Sequence, residues 1–128
     1  QTYKIIFPIH PRTLSALKKF SLNLDFKPVS PVSYSENLDL IKNSNVVITD
    51  SGGVVKEAYW SKKASVCLLE KPVWPEIVEQ KASICCRTNF EDMMKAFKEI
   101  KNLKPQFDDK IYGDGKSSNK ITSILKQI

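Results

Sequence analysis

The chain alternates short β-branched apolar runs with longer segments in which apolar residues recur every three or four positions. Tyr3 to Phe7, Phe26 to Val32, Val46 to Ile48, Ser65 to Leu69 and Ser83 to Arg87 read as strands, the second broken by Pro28 and Pro31. Thr13 to Leu22, Glu36 to Lys42, Val54 to Trp60, Glu76 to Gln80, Phe90 to Ile100 and Ser117 to Ile128 read as helices. In the helix from Phe90, the residues Phe90, Met93, Met94 and Phe97 form the stripe expected to face the core. In the last helix Ile121, Ile124 and Leu125 supply the apolar side, and Ser117, Ser118 or Asn119 can cap it. Five strands alternating with helices predict an α/β fold, a Rossmann-like parallel sheet with helices on both faces and right-handed crossovers.

One stretch combines this pattern with chemistry. Val46-Val47-Ile48-Thr49 runs into Asp50-Ser51-Gly52-Gly53 and then into a helix, the order strand, glycine turn, helix. With Ser51 or Asp50 as N-cap, the first helical N–H groups have no internal acceptor, and the macrodipole adds partial positive charge there. Gly52 and Gly53 carry no Cβ, so an anion such as a phosphate can reach those amides. Glu57 lies four residues after Gly53 and leans back toward the same end. A carboxylate beside phosphate suits a neutral diol, such as the two hydroxyls of a ribose. The same residues also read as a tight capped turn with Glu57 on a solvated face. His10, between Pro8 and Pro11, falls on the loop at the carboxyl end of the first strand, where open α/β sheets place ligands. Arg12 either adds positive charge there or is an ordinary surface arginine.

Three segments in order, Phe7-Pro8-Ile9-His10-Pro11-Arg12-Thr13, Asn45 to Glu57 and Tyr112-Gly113-Asp114-Gly115-Lys116-Ser117-Ser118, resemble the C-terminal half of the non-hydrolysing UDP-N-acetylglucosamine 2-epimerase family. The resemblance implies a GT-B arrangement, in which residues 1–128 are a single UDP-binding domain and the missing N-terminal domain of the same chain lies upstream of Gln1. It implies interconversion of UDP-GlcNAc and UDP-ManNAc by elimination and re-addition of UDP, with no cofactor and no metal. His10 would be the catalytic-site contact to the diphosphate, and Arg12, Ser51, Gly52, Gly53 and Glu57 would complete UDP binding. The acid/base carboxylates would belong to the upstream half, leaving this piece inactive alone. A homodimer of the longer protein, a cytoplasmic location and a place in cell-surface polysaccharide biosynthesis are implied too.

The sequence departs from the family pattern in places. Asn37 stands where an aromatic usually closes over the uracil, leaving Tyr34 either to stack or simply to pack. Lys62-Lys63-Ala64 replaces a Gly-Lys-Pro turn. Leu69-Glu70-Lys71-Pro72-Val73 replaces an arginine and a Thr-Glu pair ahead of Trp74-Pro75-Glu76, with Lys71 as a candidate substitute cation. These departures motivate two alternatives, a non-catalytic nucleotide-sugar sensor or a GT-B glycosyltransferase half.

Composition narrows the partners further. At 128 residues the chain can bury roughly two-thirds of its unfolded surface, enough for one core. Its net charge of +6 is carried by scattered lysines with interleaved acids and no aromatic-rich basic strand, which argues against nucleic acid. No apolar run reaches the ~18 residues of a membrane span. An odd set of cysteines, Cys67, Cys85 and Cys86, with a single histidine, fits buried thiols in a reducing compartment better than a disulfide or zinc framework.

Overall fold

The computed structural model describes residues 3–127; Gln1, and Ile128 as the expected end of the last helix, lie outside the described residues. The chain divides into two compact units, with the boundary in sequence between Asn37 and Leu38.

In the first unit, helix α1 (Pro11–Lys19) starts where Pro11 presets the backbone angle of the first helical residue and ends on Lys18 and Lys19, which favour the negative end of the dipole. The runs Tyr3 to Phe7 and Phe26 to Val32 do not form strands. They touch at one parallel bridge, Pro8 to Val29, in which Val29 N–H donates to Phe7 O and Ile9 N–H donates to Val29 O, both at 3.0 Å. Pro8, Pro28 and Pro31 have no N–H to extend that ladder, so pairing stops after one residue. Helix α2 (Tyr34–Asn43) crosses the unit boundary and opens two residues earlier than its apolar pattern suggests. The cause is a capping box: Ser33 N–H and Oγ–H both donate to Glu36 Oε2 at 2.7 Å, while Glu36 N–H donates to Ser33 Oγ at 3.4 Å. These bonds hold the Glu36 carboxyl below its ordinary range.

The second unit is built on a parallel sheet of β1 (Val47–Thr49), β2 (Ser65–Cys67) and β3 (Ser83–Cys85), in the order β1-β2-β3. Helix α3 (Gly52–Trp60) connects β1 to β2, and α4 (Pro75–Glu79) connects β2 to β3. Side chains alternate across the sheet. Cys67 and Cys85, in register, join Val55, Tyr59 and Ile77 of α3 and α4 in one cluster. Val66 and Ile84, also in register, face Ala96 and Ile100 of α5 (Phe90–Ile100) in the other. The sheet is therefore covered on both faces, as the apolar runs predict. The buried hydroxyls of Ser65 and Ser83 satisfy each other at 3.0 Å on the α3 side.

The stripe of α5 is rotated from its expected position. Ala96 and Ile100 are buried, whereas Phe90 is 79% exposed and Met94 is exposed. Asn89 caps the helix through Asp92 N–H at 2.9 Å, so Phe90 occupies the first turn, ahead of the part that meets the sheet. The connection after α5 is tied down at several points. Tyr59 Oη accepts from Asp108 N–H at 2.6 Å, Lys62 pairs with Asp109, and Gln106 N–H donates to Gln80 O at 2.8 Å. Gly113 and Gly115 then take left-handed angles (φ 89° and 75°) before α6 (Ser117–Leu125). The helix leaves Ile121, Ile124 and Leu125 exposed.

Candidate functional site

Ser51 settles the choice of cap for α3. Its backbone is extended, its Oγ accepts from Val54 N–H at 3.5 Å, and its carbonyl accepts the first intrahelical bond from Val55 N–H at 3.1 Å. Ser51 is itself fixed from below, because its N–H donates to Thr49 Oγ1 at 3.0 Å. The helix thus begins directly beyond the carboxyl end of β1. Among the described residues no acceptor is engaged by the Gly52 or Gly53 N–H, the two donors left over by helix geometry. Gly53 is exposed, and Glu57, one turn further along α3, is partly buried and already has an interaction within the chain.

The two glycines differ in their surroundings. Gly52 is covered by the segment before α4: its carbonyl accepts from Trp74 Nε1–H at 2.7 Å, and a Cβ there would lie 3.1 Å from Val73 Cγ1. Gly53 faces open space, where a Cβ would meet only Ser51 Oγ at 3.7 Å. Trp74 is in turn held by its neighbours. The Lys56 ammonium sits 3.6 Å from the Trp74 ring centroid and 4.0 Å from that of Tyr112, and the two rings meet edge to face at 5.8 Å. The Tyr112 hydroxyl is buried, and among the described residues it has no partner at hydrogen-bond geometry. Burial above all, and then the nearby Glu76 carboxylate, raise its pKa well beyond that of an ordinary phenol.

In the first unit, His10 is the N-cap of α1, and its Nδ1 accepts from Arg12 N–H at 3.1 Å. That bond makes Nδ1 the acceptor and leaves Nε2 to carry the ring proton and donate outward. His10 and the Arg12 side chain are exposed. Ser51, Gly52, Gly53 and Glu57 are brought together at one helix end, while His10 and Arg12 share the start of another helix in the other unit. Tyr34 is 67% exposed at the start of α2. Lys71 is exposed on the segment before α4, where Glu70 pairs with Arg87 at 3.7 Å. The grip of Trp74 on Gly52 and the ring contacts of Lys56 are absent from the sequence reading. Trp74-Pro75-Glu76 marks a helix start there, with nothing to indicate what the indole N–H meets.

Comparison with known proteins places these features in context. The family profile described as UDP-N-acetylglucosamine 2-epimerase matches residues 1–126. The UDP-N-acetylglucosamine 2-epimerase of Methanocaldococcus jannaschii is 40% identical over 127 residues, covering 94% of this chain and 34% of that protein. The UDP-2,3-diacetamido-2,3-dideoxy-D-glucuronate 2-epimerase of Pseudomonas aeruginosa is 30% identical over 124 residues, covering 97% of this chain and 35% of that protein. Among solved structures, the M. jannaschii UDP-GlcNAc 2-epimerase in complex with UDP-GlcNAc and UDP superposes with a TM-score of 0.81 at 39% identity, over 96% of this chain and 35% of that one. The chain therefore spans about a third of the length of the relatives it matches.

Proposed function

The chain belongs to the UDP-N-acetylglucosamine 2-epimerase family, and from that premise we propose that it is the UDP-binding part of an epimerase that interconverts UDP-GlcNAc and UDP-ManNAc. The observation that carries this reading is the start of α3, where Ser51 caps the helix and the Gly52 and Gly53 amides are left as donors at the carboxyl end of β1. Two amides, the helix dipole and an uncrowded approach at Gly53 suit a diphosphate. Glu57, one turn along, is assigned to the ribose hydroxyls. His10, whose Nδ1 already accepts from Arg12 N–H, presents Nε2–H as a donor for a diphosphate oxygen, and Arg12 adds positive charge.

In the reaction, UDP leaves as the proton on carbon 2 is removed, and it adds back after reprotonation on the opposite face. The amides at the start of α3 hold the departing diphosphate, whose growing negative charge they stabilise. The proton-transfer carboxylates are assigned to a segment outside residues 1–128, and with it the pairing that makes a complete site. Residues 1–128 then act as one nucleotide-binding domain of a longer, dimeric protein that serves polysaccharide synthesis in the cytoplasm. Three unpaired thiols are consistent with that compartment.

The test is direct. Titration of the chain with UDP, followed by calorimetry, should show weak 1:1 binding, and Glu57→Ala should weaken it by roughly tenfold. Following UDP-GlcNAc by NMR in the presence of this chain alone should show no epimer. Unaltered affinity in Glu57→Ala removes the ribose contact, and turnover by the chain alone would refute the division of labour.

A further inference from the structure

The peptide between Gly52 and Gly53 opens α3, and its carbonyl takes a side-chain hydrogen bond in addition to its place in the helix. Its carbonyl, Gly52 O, accepts from Trp74 Nε1–H at 2.7 Å, linking α3 to the segment before α4. In a trans peptide the C=O and the following N–H point in opposite directions within one plane. Whatever fixes Gly52 O therefore also fixes the direction of the Gly53 N–H. Gly52 and Gly53 are the first two residues of α3, so the helix already sets the direction of this peptide through its i→i+4 bond, and the indole reinforces it at an end where neither residue carries a Cβ to restrict the backbone. Val73 Cγ1 closes the Gly52 side at 3.1 Å from a Cβ position, while the Gly53 side is open.

The indole is well braced to serve as the grip. The Lys56 ammonium lies over its face at 3.6 Å from the centroid, and the Tyr112 ring meets it edge to face at an interplanar angle of 81°. Pro75 fixes the backbone immediately after it, at the first position of α4. The indole N–H therefore has little freedom to swing away from Gly52 O.

We propose that Trp74 is a positioning residue: by holding Gly52 O alongside the helix bond it steadies the Gly52–Gly53 peptide and keeps the Gly53 N–H aimed at a diphosphate oxygen. The proposal rests on the reading of α3 as a diphosphate site. A hydrogen bond accepted at the carbonyl also polarises the amide, making Gly53 N–H a better donor. The nucleotide then meets an amide already turned toward it, so ordering the glycine turn costs little at the moment of binding.

Trp74→Phe separates the two ends of the side chain, because it keeps an aromatic ring under Lys56 and against Tyr112 but removes the N–H. The backbone amide spectrum of the ¹⁵N-labelled chain should show Gly53 displaced in the variant before any ligand is added, with the signals of α5, on the other face of the sheet, unmoved. UDP affinity should fall by roughly tenfold. A variant that binds UDP as tightly as the wild type, or whose Gly53 signal coincides with the wild-type one, overturns the proposal while leaving the diphosphate reading standing. Wild-type protein that fails to bind UDP overturns the reading and the proposal together. Should Trp74→Phe not fold, the wild type still decides: UDP should move the Trp74 indole N–H signal together with the Gly53 amide. A stationary indole beside a shifting Gly53 overturns the role assigned here.

Discussion

A methyl group at Gly52 would stand 3.1 Å from Val73 Cγ1 and 3.5 Å from Trp74 Nε1, whereas one at Gly53 would touch only Ser51 Oγ at 3.7 Å. The chain itself therefore has a packing reason for the first glycine and none for the second. Gly53→Ala should fold with stability unchanged or raised by up to about 1 kcal/mol, since alanine loses less backbone entropy in a helix. Its UDP affinity should nevertheless fall, because the added methyl occupies the side from which a phosphate approaches. Thermal melting paired with calorimetry checks both halves, and an unchanged affinity would mean that no anion comes close to that amide. His10 calls for a similar separation of roles, because its Nδ1 already caps α1 by accepting from Arg12 N–H. His10→Asn preserves a capping side chain but removes the imidazole Nε2–H, so helix stability should hold while UDP binding weakens. His10→Ala should lose both, with a capping cost of about 1 kcal/mol. Equal UDP affinity in wild type and His10→Asn would confine the histidine to its structural role.

Among the elements, α2 shows how much a local motif decides. Ser33 and Glu36 exchange three hydrogen bonds at its start, and Ser33→Ala should cost about 1 kcal/mol. Faster hydrogen exchange over the first turn of α2, with α5 unaffected, would report that loss; uniform exchange across both helices would contradict it. The Ser-x-x-Glu spacing was open to view in the sequence, but the apolar periodicity begins later and draws the helix start to Glu36. The three sheet strands are legible as short apolar runs bounded by turns, a pattern that needs no distant partner to be recognised, although only β2 is buried throughout and Ile48 of β1 is half exposed. The first two apolar runs looked similar, yet three prolines limit their pairing to one bridge. In α5 four large side chains at helical spacing suggest one stripe; Met93 and Phe97 are half-buried beside the deeply buried Ala96 and Ile100, whereas Phe90 and Met94 are exposed. Ser51, Gly52, Gly53 and Glu57 could be grouped from sequence because helix geometry alone brings them to one end. Trp74 could not, since it reaches Gly52 across 22 positions and through the packing of a whole connection.

Across the molecule, ionisable groups with raised pKa values cluster beneath α3 and around the sheet. Burial is the first cause in every case: it raises Cys85 to about 11 and moves Cys67, Cys86 and Tyr112 in the same direction. Cys67, opposite Cys85 in the neighbouring strand, adds to the rise of Cys85, while the hydrogen bond between the two thiols works the other way on Cys67. In the unfolded chain a thiol ionises near 8.5 and a phenol near 10. Folding thus favours the protonated forms, and their contribution to stability is fully present below about pH 8.5. It is lost as the pH rises through the folded value of about 11 for Cys85. The melting temperature should therefore fall steadily over that alkaline interval and recover when the pH is returned to neutral. Alkylation supplies an independent measure of the same burial, because a thiol of pKa about 11 has only about a thousandth of its population as thiolate near pH 8. Native Cys85 should accordingly react with iodoacetamide far more slowly than the same residue in denaturant, and UDP should not change that rate, since Cys85 lies under α3 and not at its exposed first turn. A melting temperature that stays level throughout, or a native Cys85 that reacts at the denatured rate, would mean that the sheet is not sealed beneath α3, and the footing assigned to the glycine turn would go with it.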